Sequence, residues 1–133
     1  MKVVGLGIDI VEIARIRQVA NRHKRKLARV FQEPEIDYCW QAQNIRERMS
    51  RLAGRFAAKE AVIKALGGTA GEFTWLDVMI LPAPSGAPEV QLTDRGREAA
   101  QRRGVDRILL SISHARRYAV AQALAVALSE DEV

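Results

Sequence analysis

The chain has 133 residues, 48% of them hydrophobic and 28% charged, enough for one globular domain with a real core over residues 1–133. It has no apolar run near the roughly 18 residues of a membrane span, and its N-terminal run, one Lys and then Asp9, does not resemble a secretory signal. The lone Cys39 excludes an intramolecular disulfide and a cysteine-built metal centre, so the cytoplasm is the expected compartment, and the net charge of +5 points to an anionic partner or substrate.

Val3 to Ile10 reads as a buried first strand, β-branched and carrying Gly5 and Gly7. Ile13, Ile16, Val19 and Ala20 then recur at helical spacing, with arginines on the other face. Seven Lys or Arg (Arg15, Arg17, Arg22, Lys24, Arg25, Lys26 and Arg29) and no acid lie between Ile13 and Gln32, a one-sided run suited to an acidic protein or a nucleic acid. Pro34 opens a short helix carrying Ile36, Tyr38 and Trp40. The longest helix is expected from about Asn44 to Leu66, with Leu52, Phe56, Ile63 and Leu66 on one stripe, stopped by Gly67-Gly68. A second basic cluster, Arg46, Arg48, Arg51 and Arg55, lies on it.

A flexible connection is expected over 68–71. Trp75 to Leu81 and Glu89 to Leu92 read as a hairpin joined by the turn from Pro82 to Pro88. Thr93 is placed to cap a helix ending at Gly104. Its basic cluster, Arg95, Arg97, Arg102 and Arg103, is either a solvated face or a further anion-binding surface. Arg107 to Ser113 alternates as a strand, and His114 to Arg117 turns the chain. Tyr118 to Leu128 is alanine-rich enough for a helix, but closing a hairpin after a well-patterned strand favours strand. The acidic stretch Glu130 to Glu132 is expected to fray. The class is α+β, with one long helix packed on a small, mainly antiparallel sheet.

Two carboxylates stand where packing alone would rarely put them. Asp9 interrupts the apolar run from Val3 to Val11, and Asp is depleted from strand interiors. It either caps the helix that follows or serves as a ligand. Glu60 lies in the long helix between Lys59 and Lys64. With Lys64 it forms either a surface i,i+4 ion pair or half of a site. Magnesium takes oxygen ligands, usually one or two carboxylates with phosphate oxygens and water. Two carboxylates beside lysines therefore suggest a metal site for a phosphate-bearing substrate. His114 ends Ser111-Ile112-Ser113-His114 with no second histidine nearby, which excludes a His-rich zinc site and leaves it a structural residue or a contact. With neither a P-loop nor a G-x-G-x-x-G fingerprint present, phosphates would rest on side chains and on the helix terminus near Gly67.

Taken together, the N-terminal G-x-G-I-D-I-V-E-I-x-R-I, the central A-G-R-F-A-A-K-E-A-V-I-K-A and the C-terminal S-I-S-H closely resemble the short bacterial branch of the 4′-phosphopantetheinyl transferases, the holo-acyl-carrier-protein synthases. The similarity covers nearly the whole chain. It departs at the turn, where Ala87 stands in place of a common lysine. The resemblance implies transfer of phosphopantetheine from coenzyme A to a serine of apo-acyl carrier protein, releasing adenosine 3′,5′-bisphosphate and supporting fatty acid biosynthesis. It implies magnesium held by Asp9 and Glu60, Lys64 on the phosphates, and Glu60 as acceptor of the serine proton. Arg55, Lys64, Ser113 and His114 would contact coenzyme A, with Arg46 and Arg48 further candidates for its 3′-phosphate. Acyl carrier proteins are acidic, so Arg15, Arg22 and Arg29, spaced by seven, would form one stripe along a helix. Larger relatives carry two such folds and this chain one, so sites are expected at subunit interfaces; the resemblance implies a homotrimer, and the apolar run Ala119 to Val126 would be buried between subunits. A small basic nucleic-acid-binding protein is the alternative, weakened by 5% aromatic content and the unexplained carboxylates. A phosphohydrolase lacks a visible nucleophile motif.

Overall fold

A computed structural model describes residues 1–68 and 72–133, so the connection expected over 68–71 lies, from 69 to 71, outside the described residues. Strand β1 (Lys2–Glu12) leads into α1 (Ile13–Arg22), α2 (Lys24–Val30), α3 (Glu33–Trp40) and the long α4 (Ile45–Ala65). A 3-10 turn at Trp75–Asp77 precedes the hairpin β2 (Val78–Pro82) and β3 (Pro88–Leu92), followed by α5 (Asp94–Arg102), β4 (Arg107–His114) and β5 (Tyr118–Ala127). The strands make a three-stranded antiparallel sheet, ordered β1-β5-β4, and a separate two-stranded hairpin. The α+β class holds, and the ambiguous last run is a strand, the central one of its sheet. Among the described residues no helix is long and apolar enough to cross a membrane.

Local chemistry sets the boundaries of α4. The Asn44 side chain accepts from the Glu47 N–H at 2.9 Å, satisfying one free donor of the first turn. At the other end Gly67, at φ 94°, takes the left-handed conformation that ends the helix. Its expected stripe is there: Leu52 and Leu66 are fully buried, worth about 1.5–3 kcal/mol each, while Phe56 and Ile63 are half-buried. The buried face is wider than the stripe, because Ala53, Ala57, Ala58, Ala61 and Ala65 line it too.

Those small residues let helix and sheet approach closely. A Cβ on Gly5 would stand 1.9 Å from the Ala65 carbonyl oxygen, and one on Gly7 equally close to that of Ala61. On β5, Ala119, Ala121, Ala123 and Ala125 are buried in the same core. That packing accounts for the alanine half of the run. Val120 and Leu124 lie on the outward face of β5, in the rows of Ile10 and Leu6, so only that half of the Ala119 to Val126 run is left for the expected contact between subunits.

The first strand departs from expectation more sharply. With Gly5, Gly7, Asp9 and Val11 turned toward α4, the alternation of a strand sends Leu6, Ile8 and Ile10 outward. They are 59%, 58% and 64% exposed. Across the sheet they align in rows, Leu6 with Leu124 and Leu109, Ile8 with Gln122 and Ser111, and Ile10 with Val120 and Ser113. This strand is therefore buried on one face only.

Three further expectations need correction. The first helical run breaks at His23, whose backbone (φ −137°, ψ 60°) separates α1 from α2, so Arg29 does not share a helix with Arg15 and Arg22. Trp75 to Asp77 forms a 3-10 turn rather than strand, because the Asp77 carboxylate takes the Thr74 N–H at 2.7 Å and the Thr93 hydroxyl at 2.7 Å. Glu130–Glu132 forms a 3-10 turn, with Glu132 paired to the Met1 ammonium.

Candidate active site

Strand β1 and helix α4 bring Asp9, Glu60 and Lys64 together from opposite ends of the first half of the chain. The Lys64 Nζ donates to Asp9 Oδ1 at 3.1 Å and to the Ile8 carbonyl at 3.0 Å. Lys64 thus reaches across to β1 instead of closing an i,i+4 pair with Glu60. Asp9 is no helix cap either, since α1 begins after Glu12 and has no side-chain cap hydrogen bond. Burial pushes the Glu60 carboxyl up from its ordinary range, and the Asp9 carboxylate pushes it further. The Trp75 indole and the Lys64 ammonium oppose that rise.

Two carboxylates facing one ammonium leave room for a second cation. Among the described residues no three His, Cys, Asp or Glu side chains gather, so these side chains alone do not build a full cage. A magnesium ion fits this donor set, because it binds through one or two carboxylates and completes its shell with phosphate oxygens and water. Among the described residues, the end of α4 near Gly67 offers no phosphate site. A helix C-terminus presents carbonyl oxygens, and those of Ile63 and Lys64 already accept from Gly68 and Gly67.

Lys59, one residue before Glu60, points the other way. Its Nζ is fully buried and donates to Glu35 Oε1 at 2.8 Å, the Trp75 carbonyl at 2.9 Å and the Val78 carbonyl at 2.6 Å. Glu35 is equally buried, and it also accepts from the backbone N–H of Gln32 and of Ile80, each at 2.9 Å. Burial lowers the ammonium's affinity for its proton and Glu35 restores part of it. With all three N–H donors used, Lys59 ties α4 to α3 and β2 and does not face a substrate. The signal in the sequence was its place on the apolar stripe, seven residues after Leu52 and seven before Leu66.

Toward its N-terminal half α4 borders a groove of about 930 Å³ shared with α3, the β2–β3 turn and the end of β4. Arg46, Arg51, Arg55, His114 and Arg116 line it. The Arg51 and Arg55 guanidinium carbons lie 4.5 and 4.3 Å from the centre of the Tyr38 ring. Arg51 also donates to the Tyr38 carbonyl at 2.9 Å. Among the described residues none of these arginines has an ion-pair partner, and the buried Nε of Arg55 has no hydrogen-bond acceptor. A groove so lined is built for an anion. Arg55 and Glu60 are five residues apart, about 7.5 Å along the helix axis.

The sequence-predicted contacts divide accordingly. Arg46, Arg55 and His114 line the groove, but Arg48 donates its Nε to the Ala42 carbonyl at 3.1 Å and does not. Ser113 belongs to the opposite, outward face of β4. Ala87 is exposed between Gly86 and Pro88, both of which border the groove. Tyr38, Arg51 and Arg116 were missed, although Arg51 belongs to the second basic cluster. Arg15, Arg22 and Arg29 are all exposed. The third basic cluster is largely neutralised locally: Arg97 pairs with Asp94, and Arg102 and Arg103 pair with Glu72 at 3.5 and 2.8 Å.

Residues 5–123 match the family model described as the 4′-phosphopantetheinyl transferase superfamily. The holo-acyl-carrier-protein synthase of Moorella thermoacetica is 47% identical over 119 residues, covering 89% of this chain and 90% of that one. The crystal structure of the Neisseria meningitidis synthase superposes with a TM-score of 0.82 at 29% identity, covering 93% of this chain and 98% of the other. That of the Helicobacter pylori synthase in complex with coenzyme A gives a TM-score of 0.77 at 34% identity, covering 91% and 99%.

The strain on Glu60 has a consequence for stability. A carboxyl with its folded pKa raised favours the folded state in its protonated form, so its contribution falls as pH rises from the ordinary carboxylate range through the raised value. Glu60→Gln removes that loss. In metal-free buffer the variant is expected to melt a few degrees above wild type at pH 7–8, the gap closing below about pH 4. A variant melting below wild type at neutral pH would show that the carboxylate is not strained.

Proposed function

The chain belongs to the 4′-phosphopantetheinyl transferase superfamily, and from that premise we propose that it is a holo-acyl-carrier-protein synthase, moving phosphopantetheine from coenzyme A to a serine of apo-acyl carrier protein. The observation that carries this reading is the placement of Asp9, Glu60 and Lys64 on one face, with an arginine-lined groove beside them on the same helix. The nucleotide end of coenzyme A lies in the groove, its phosphates against Arg46, Arg55 and His114. The pyrophosphate reaches the carboxylates, with Lys64 as a point charge on it. Asp9 and Glu60 would hold magnesium, which when bound would supply Lewis-acid neutralisation of charge on the pyrophosphate oxygens. The serine Oγ forms its bond to the phosphorus of the pantetheine-bearing phosphate as the bond to adenosine 3′,5′-bisphosphate breaks. The serine proton passes to a Glu60 carboxylate oxygen, and the crowding that raises this carboxyl suits it to accept. The product supports fatty acid biosynthesis in the cytoplasm, and residues 1–133 act as one domain.

The exposed Arg15 and Arg22 on α1, with Arg29 on α2, form the docking surface for the acidic carrier protein. The active unit is a homotrimer. Its support is the uncovered sheet face on which Leu6, Ile8 and Ile10 are each more than half exposed. Ser113 lies on that face and would meet coenzyme A only across a subunit boundary. The nucleic-acid alternative has no such support, because the basic side chains are divided among the groove, α1 and α2, and a neutralised α5.

The direct test is mass spectrometry of apo-acyl carrier protein incubated with coenzyme A, magnesium and this protein. The carrier is expected to gain one phosphopantetheine group, and Asp9→Asn should lower the rate at least about 10²-fold without unfolding; an unmodified carrier would sink the reading.

Arg15→Glu or Arg22→Glu should raise KM for the carrier protein several-fold and flatten its dependence on salt, with coenzyme A affinity unchanged. Equal weakening of both substrates would assign α1 to the nucleotide.

Sedimentation equilibrium should give a trimer for wild type, while Ile8→Arg, charging the centre of the apolar face, should dissociate it and cut activity. A fully active wild-type monomer would overturn the assembly.

A further inference from the structure

The mechanism leaves one polar group at the site without a role. The Nε1 of Trp75 is buried, yet among the described residues it has no hydrogen-bond partner. An indole N–H can only donate, and a buried donor left unmatched is rare enough to call for a function. Its surroundings are fixed. The backbone of the Trp75–Asp77 turn is held by the Asp77 carboxylate on Thr74 N and Thr93 Oγ1, and by Lys59 on the Trp75 carbonyl at 2.9 Å. The indole packs against Phe56, with ring centres 6.0 Å apart and planes tilted by 43°. Phe56 is one helical turn before Glu60, so the indole lies along the face of α4 that carries Glu60. It is close enough to favour the ionised carboxylate, although its N–H falls short of a completed hydrogen bond.

We propose that Trp75 is a positioning residue for the transfer reaction, its indole N–H donating to one oxygen of the Glu60 carboxylate and holding the other oxygen toward Asp9 and the phosphates. The proposal rests on the reading of Glu60 as ligand and proton acceptor. A free carboxylate swings about its terminal torsion, so a donor on a rigid turn fixes which oxygen faces the chemistry. Hydrogen bonds of this kind are often long before substrate arrives and shorten in the loaded complex. Lys59 then serves both halves of the arrangement. It precedes Glu60 on the helix, and its ammonium anchors the turn that carries the donor.

Trp75→Phe keeps the aromatic ring against Phe56 and deletes the N–H. It is expected to fold with a near-normal Tm, to lower kcat about tenfold with KM for the carrier protein unchanged, and to weaken magnesium binding about tenfold. The last is read by calorimetric titration of magnesium into protein saturated with coenzyme A, without carrier. A second readout leaves Trp75 intact. The chain has two tryptophans, so in Trp40→Phe the single indole ¹⁵N–¹H resonance belongs to Trp75. Adding magnesium and coenzyme A should move its proton downfield, and adding Glu60→Ala to that background should abolish the movement. An indole resonance unmoved by loading, or wild-type magnesium affinity in Trp75→Phe, would overturn the proposal. A wild-type protein that leaves apo-carrier unmodified would instead overturn the transferase reading beneath it.

Discussion

Everything at the candidate site depends on how closely α4 lies against β1. Glycine at positions 5 and 7 lets the helix backbone come to where a single methyl group would meet a carbonyl oxygen. Only at that distance can the short side chain of Asp9 stand beside Glu60 and within reach of Lys64. The alanines of α4 and β5 serve the same approach from the other side. Small residues give up the dispersion contacts that leucine or isoleucine would make there. What they allow is a short gap between strand and helix, and so a pair of carboxylates held in opposition.

Lys59 and Glu60 show how one helix turn divides structural and chemical duties. Adjacent residues on a helix are about 100° apart. One therefore enters the core while the next looks out. The inward lysine is matched completely, by one carboxylate and two carbonyls, and removing one partner of such a pair typically costs about 3–5 kcal/mol. The outward glutamate is matched incompletely and pressed by Asp9. Completeness in the core pins α3, β2 and the Trp75 turn to α4. That rigidity allows the strained partner next door to keep its place.

The molecule is also asymmetric in how its sheet is covered. The inner face of β1, β5 and β4 is closed by α4, while the outer face presents leucine and isoleucine to solvent. Charge is divided just as unevenly. Among the described residues, arginines in the groove and on α1 lack ion-pair partners, whereas those of α5 find acids nearby. An apolar face and two unneutralised basic surfaces are features of a chain that meets other molecules on several sides at once.

Much of this was legible in the residues. The strand-helix-strand order follows from hydrophobic period and from glycine and proline punctuation, both local properties of the chain. The two carboxylates were visible because each interrupts an apolar pattern, and the motif spacing placed them in one family. Direction was another matter. Whether β1 turns its glycines or its isoleucines inward cannot be read from the strand, since both faces look apolar and only the approach of α4 chooses between them. Nor could His23 be seen to break the first helix, because no proline or glycine stands there. Arg48 and Arg55 looked alike until the fold set one on a backbone carbonyl and the other over an aromatic ring. The sequence by itself determined which elements form and which side chains carry charge, because those depend on neighbours along the chain. Tertiary structure alone decided which charges face each other and which apolar face stays open, because those depend on residues some fifty positions apart, as Asp9 and Lys64 are.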